Sequence, residues 1–221
     1  MGPERTRGGA DATAAEDAGG GYERLRELMA PELPPRMVEH IDRVVAIARE
    51  LGALHHLPLE PISLAAQGHD LLRAVPPPEL LRRAEERGLA ILDVERARPV
   101  ILHGPLGALE LSERFGVFDS GVLDAIRWHT TGHPSYPDWA WAMFIADKVE
   151  PAKAARWPAL RGVEAAARRA VPGALRGAAA RYLRLTLGRQ RERGEPTHPL
   201  AVETLAHLAS GRGGAEAESL A

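Results

Sequence analysis

The segment from Trp139 to Val149 reads Trp-Ala-Trp-Ala-Met-Phe-Ile-Ala-Asp-Lys-Val, apolar on almost every face but interrupted by Asp147. A helix that is apolar all round belongs at the centre of a domain. The run is far too short to cross a bilayer. Asp147 falls in line with Met143 and Phe144 at helical spacing, so it faces inward with them. A buried carboxylate without a partner is very costly. Any fold for this chain must therefore bring something to Asp147.

Other polar residues also fall on apolar stripes. In Ile62 to Leu72, the residues Ile62, Ala65, Ala66 and His69 follow helical spacing, and Asp70 comes next. His40 lies beside Ile41, on the edge of the stripe Met37, Ile41, Val44, Val45, Ala48 and Leu51. His103 precedes a helix through Leu106, Leu109, Leu111 and Phe115. His129 ends a helix through Val122, Leu123, Ala125 and Ile126, which Asp119 or Ser120 can cap. Alone, each is most simply a core residue bonded to a carbonyl. Four inward histidines and two inward aspartates on five segments are hard to explain independently. One metal cluster satisfies all of them, because imidazole and carboxylate together suit a divalent cation.

The rest of the chain reads as one all-α domain, a helical bundle over residues 21–209, with tails 1–20 and 210–221 expected to be disordered. Alanine, leucine, arginine and glutamate dominate, and no long alternating runs suggest strands. Helices are expected at Gly21 to Met29, at Arg36 to Leu51 with Gly52 as the stop, and at Glu79 to Arg87 before Gly88. Pro58 and Pro61 open a helix expected to carry His69-Asp70. Later helices are expected at Val163 to Ala170, at Gly173 to Arg193, and from Pro199 to Leu208. A net charge of −2 gives no case for nucleic acid or an anionic membrane. The absence of cysteine excludes disulfides and thiolate clusters. With no signal-like start, the expected setting is the cytoplasm.

The order His40, His69-Asp70, His103, His129, Asp147 resembles the HD-domain superfamily of metal-dependent phosphohydrolases. Four strings are similar to the bacterial YqeK-type symmetrical bis(5'-nucleosyl)-tetraphosphatases, the diadenosine tetraphosphate hydrolases. They are Ile-Leu-His-Gly-Pro-Leu-Gly-Ala around His103, Asp-Ala-Ile-Arg-Trp-His-Thr-Thr-Gly around His129, Ile-Ala-Asp-Lys-Val-Glu-Pro around Asp147, and Gly-Glu-Pro-Thr-His-Pro around His198. The His-Thr-Thr-Gly and Ala-Asp-Lys-Val-Glu-Pro strings are far more specific than a His-Asp pair. The resemblance runs from about Arg36 to Leu208.

That resemblance implies an acid-anhydride hydrolase that cleaves diadenosine tetraphosphate to two ADP through hydroxide activated by two divalent metal ions, often iron. His40, His69, Asp70 and Asp147 would hold one ion, and Asp70, His103 and His129 the other, with Asp70 as bridge and catalytic residue. The all-N/O ligand set admits iron, manganese or cobalt. Lys148, expected at the mouth, would bind polyphosphate and serve catalysis. Arg73, Thr130, Thr131, Gly132, His133 and Arg156 are the remaining candidates for substrate contacts. Each also has a plain reading as a solvated or turn residue. Gly68 stands where the family has an apolar residue, and Arg73 where it has lysine. The implied partner is a dinucleoside polyphosphate, and a homodimer is left open. The rival readings are an HD phosphohydrolase for another nucleotide or a phosphomonoester, and a non-catalytic nucleotide-binding HD module.

Overall fold

The computed structural model describes residues 20–210, which contain twelve α-helices and no strand. The expectations for residues 1–19 and 211–221 lie outside the described residues. The helices are α1 (Gly20–Met29), α2 (Pro35–Leu54), α3 (Leu59–Gly68), α4 (Pro77–Glu86), α5 (Asp93–Ala97), α6 (His103–Phe115), α7 (Ser120–Arg127), α8 (Asp138–Val149), α9 (Pro151–Arg156), α10 (Leu160–Ala167), α11 (Ala174–Glu192) and α12 (Pro199–Ala209). Short 3-10 turns cover Ala30–Glu32 and Pro99–Leu102.

Helix α8 is the axis of the bundle. From Ala140 to Val149 every residue is buried, including Asp147 and Lys148. Helices α2, α3, α10 and α11 pack around it, α6 pairs with α7, and α12 lies on α11. No helix among the described residues is long and apolar enough to cross a membrane.

Several boundaries differ from the sequence expectation, for identifiable reasons. Gly52 does not stop α2; it lies inside the helix, where an added Cβ would stand 2.7 Å from Ile62 Cδ1 and 2.8 Å from Leu59 Cδ2. Its missing side chain lets α3 close on α2. The chain instead turns after Leu54, with His56 at φ 54°. The helix expected to carry His69-Asp70 ends at Gly68, and His69 and Asp70 occupy the turn beyond it. Likewise α7 ends at Arg127, leaving His129 in the following turn. The helix expected at Val163 to Ala170 starts earlier and stops at Ala167. The short helices α5 and α9 had no expectation; five and six residues are too few to show a period. Asp119 caps α7, accepting from the Val122 N–H at 2.9 Å. Gly68, the departure from the family pattern, faces Leu111 and Ile126, whose methyls a Cβ would meet at 2.7 and 3.0 Å.

Candidate metal centre

The turns that end helices have free carbonyls, because the last C=O groups of a helix find no intrahelical partner. The site aims its imidazoles at carbonyls in such turns, two of which, Ile126 and Val100, also accept a backbone N–H. His69 Nδ1 donates to the Ala66 carbonyl at 2.7 Å and His129 Nδ1 to the Ile126 carbonyl at 2.7 Å. His103 Nδ1 donates in the same way to the Val100 carbonyl. A carbonyl can only accept, so Nδ1 bears the proton in all three. In the neutral rings, each Nε2 then turns a lone pair toward the centre. This is the arrangement that orients metal-ligating histidines. His40 is different: it lies within α2, where carbonyls are already used, and its Nδ1 approaches Glu150 Oε2 at 3.8 Å.

The inward atoms form two groups, His40, His69, Asp70 and Asp147, and Asp70, His103 and His129, with the potential ligand atoms of each within 4.8 Å of one another. Asp70 is common to both and divides its oxygens between them. Its Oδ2 lies 3.5 Å from His40 Nε2 and 3.5 Å from His69 Nε2. Its Oδ1 lies 3.0 Å from His103 Nε2 and 3.6 Å from His129 Nε2. Asp147 Oδ1 closes the first group, 3.6 Å from both His40 and His69 Nε2. His69 is fully buried, and Asp70, His103, His129 and Asp147 are nearly so.

These residues fit a pair of divalent cations on their own chemistry. The Nε2 atoms of His40 and His69 are buried without a hydrogen-bond partner. Those of His103 and His129 face each other at 2.9 Å. Lone pairs and carboxylates converging in a buried space require positive charge between them. Part of that charge is available as protons. Burial opposes a proton on His69, but Asp70 and Asp147 outweigh it and hold the pKa up at about 10. Burial, with His103 and His69 close by, pushes His129 down to about 3. Burial would raise both carboxyls, yet His69 and the other imidazoles hold Asp70 well below the usual range, and Lys148 and Lys153 do the same for Asp147.

Lys148 is not at the mouth as expected. It is buried, donates to Asp147 Oδ2 at 2.5 Å and to the His129 carbonyl at 2.9 Å, and lies over the Phe144 and Tyr182 rings. Its ammonium therefore joins the two groups from behind. It still borders a cleft of about 280 Å³ that also reaches Arg73, His103, Thr130 and Thr131. Arg156 lines a second, more open cleft with Lys153, Trp157 and Arg189, and Lys148 and Tyr182 border both. Gly132 and His133 are in neither lining. Gly132 takes φ 67° against Trp141, and His133 stacks on Trp128 with centroids 3.9 Å apart. His198 caps α12, with its Nδ1 accepting from the Leu200 N–H at 3.2 Å.

Three neighbours escaped the sequence reading. Glu150 is buried, caps α9, and accepts from Arg43 Nε at 2.6 Å while facing His40. Lys153, half-buried, contacts Asp147 Oδ1. Glu150 does occur in the Ala-Asp-Lys-Val-Glu-Pro string, which was the one available signal. Nothing local marks Arg43 or Lys153.

The HD domain family matches residues 37–152, a span that contains all six converging residues. A "Bis(5'-nucleosyl)-tetraphosphatase, symmetrical" of Halalkalibacterium halodurans is 30% identical over 149 residues, covering 67% of this chain and 78% of the relative. The protein of the same description from Staphylococcus aureus is 29% identical over 59% of this chain and 67% of its own. Among solved structures, a "predicted HD superfamily hydrolase involved in NAD metabolism" from Clostridium acetobutylicum superimposes with a TM-score of 0.77 at 23% identity, over 86% of this chain and 97% of the other, a likeness of fold. With four histidines and two aspartates gathered at one centre inside the matched span, the chain belongs to the HD domain family.

Proposed function

We propose that the domain spanning residues 21–209 hydrolyses diadenosine tetraphosphate symmetrically, converting it and one water to two ADP. The observation that carries this reading is the division of the Asp70 carboxylate between two ligand groups, one of which reaches a cleft through His103. His40, His69, Asp70 and Asp147 would hold one divalent ion, and Asp70, His103 and His129 the other. Such a pair, when bound, lowers the pKa of water and offsets charge on the phosphate oxygens during in-line attack. The N/O donors suit iron, manganese and cobalt alike, and iron is put first on the family resemblance alone.

The chain's own residues do the rest. Carbonyl-anchored Nδ1 atoms fix the imidazoles before substrate arrives, so little reorganisation is left for the reaction. Arg73 supplies an exposed cation to the cleft, and Thr130 lines the same cleft. Lys148 lies between the two clefts and holds Asp147 and the His129 carbonyl in place. Arg156 and Lys153, in the second cleft, suit the other half of a long polyphosphate. The curated relatives described as symmetrical tetraphosphatases support the substrate class.

Chromatography of products from the iron-loaded protein tests the reading. ADP as the sole nucleotide product supports it. ATP with AMP would overturn symmetrical cleavage. Phosphate release from phosphomonoesters, with diadenosine tetraphosphate left intact, would replace the substrate.

A further inference from the structure

The cleft that reaches His103 and Lys148 has a polar demand that the protein does not meet. One wall is a single face of α11, formed by Leu183, Thr186, Leu187 and Gln190. Thr186 Oγ1 and Gln190 Oε1 are both buried and both without a hydrogen-bond partner. A hydroxyl inside a helix ordinarily donates to the carbonyl four residues back. Ser63 does so to the Leu59 carbonyl at 2.6 Å, and Thr204 to the Leu200 carbonyl at 2.7 Å. Thr186 does not, although it occupies the same kind of position. Buried polar groups in folded proteins are overwhelmingly paired, so two orphans one turn apart on one cleft wall need a reason.

The surroundings say what kind of ligand would supply it. Leu183, Leu187 and Val100 give the cleft apolar walls, His103 reaches its floor, and Arg73 and Arg98 bracket it with cations. An apolar slot with a few placed polar groups, open at one end to a phosphate-handling centre, suits a flat heterocycle attached to a phosphate chain. We propose that this slot binds the nucleobase of one substrate half, and that Gln190 and Thr186 read its edge as adenine. The inference rests on the dinucleotide reading above and deepens it. The Gln190 amide matches an adenine edge as a bidentate pair, its Oε1 accepting from the exocyclic amino group and its Nε2 donating to the adjacent ring nitrogen. Thr186 supplies a further hydroxyl one turn earlier. On the N6/N7 edge hypoxanthine presents two acceptors, O6 and N7, so the Gln190 amide can bond to one of them only, whichever way it is turned.

Calorimetric binding of ADP and inosine diphosphate to the metal-loaded protein tests this, because neither ligand contains the internal anhydride of a dinucleoside tetraphosphate. The wild type is expected to favour ADP by about tenfold or more, since a site built to bond a polar edge rejects an analogue that mismatches it. Gln190→Leu is expected to bring that ratio within about twofold by weakening ADP, and Thr186→Val to weaken ADP while retaining part of the ratio. A wild-type ratio within twofold overturns the proposal whether or not the variants fold. So does a preference that survives in Gln190→Leu. The hydrolysis reading fails separately: an adenine preference with no cleavage of the tetraphosphate would leave the base slot standing, and cleavage without the preference would remove the slot alone.

Discussion

His103 and His129 point their Nε2 atoms at each other across 2.9 Å, each ring fixed from behind by a backbone carbonyl. The pair depends on how closely α6 approaches the end of α7. At Gly104 an added Cβ would stand 2.7 Å from the Arg127 carbonyl oxygen and 3.1 Å from that of Ile126, the acceptor that orients His129. Backbone cannot yield as a methyl end can. Gly104→Ala is expected to destabilise the protein by about 1–3 kcal/mol and to weaken metal binding. Thermal unfolding and metal titration measure the two effects; an unchanged variant would show that the contact is slack.

Asp70 serves both groups with different oxygens. Asp70→Ala is therefore expected to lose metal from the whole centre, and turnover with it. Elemental analysis of the purified variant decides the matter. Metal content equal to wild type would show that Asp70 is not shared.

Lys148 is buried against Asp147, so its removal is a structural event as well as an electrostatic one. Breaking one partner of a buried ion pair costs about 3–5 kcal/mol, although Lys153 remains on the other Asp147 oxygen and reduces the effect here. Lys148→Met keeps the apolar stem over Phe144 and Tyr182 and removes the charge. It is expected to lower stability in chemical denaturation and to impair long and short substrates alike. A loss of kcat/KM confined to long polyphosphates, at full stability, would return Lys148 to a substrate contact.

The centre was legible where burial left a periodic trace. Asp147 in an apolar helix and His69 on an apolar stripe both announce an inward group, and both are buried. The exact helix ends were not legible, because the turns that hold His69 and His129 are made by side-chain-to-carbonyl bonds that no period encodes. Lys148 follows a recognisable aspartate, but nothing in the string says that α8 is buried through its last turn. Arg43 reaches Glu150 across 107 positions of sequence, and Thr186 and Gln190 look like ordinary polar residues on an arginine-rich helix. Such groups acquire meaning only from what packs against them.

Proton competition gives a further expectation. In the metal-free protein His69 has a pKa raised from 6.5 to about 10, so the stability it contributes is present below 6.5 and is lost as pH rises through about 10. A cation must displace that proton. Metal binding near neutral pH is expected to release protons, and affinity is expected to rise with pH. Calorimetry in buffers of different ionisation enthalpy reads the proton count. Binding without proton release would show that His69 is already neutral.

The central claim is that two cations share Asp70, and anomalous diffraction from crystals of the iron-loaded protein tests it most directly. The account predicts two peaks, about 3.5–4 Å apart, one beside His40, His69 and Asp147 and the other beside His103 and His129. A single peak, with His103 and His129 outside the coordination sphere, would contradict it.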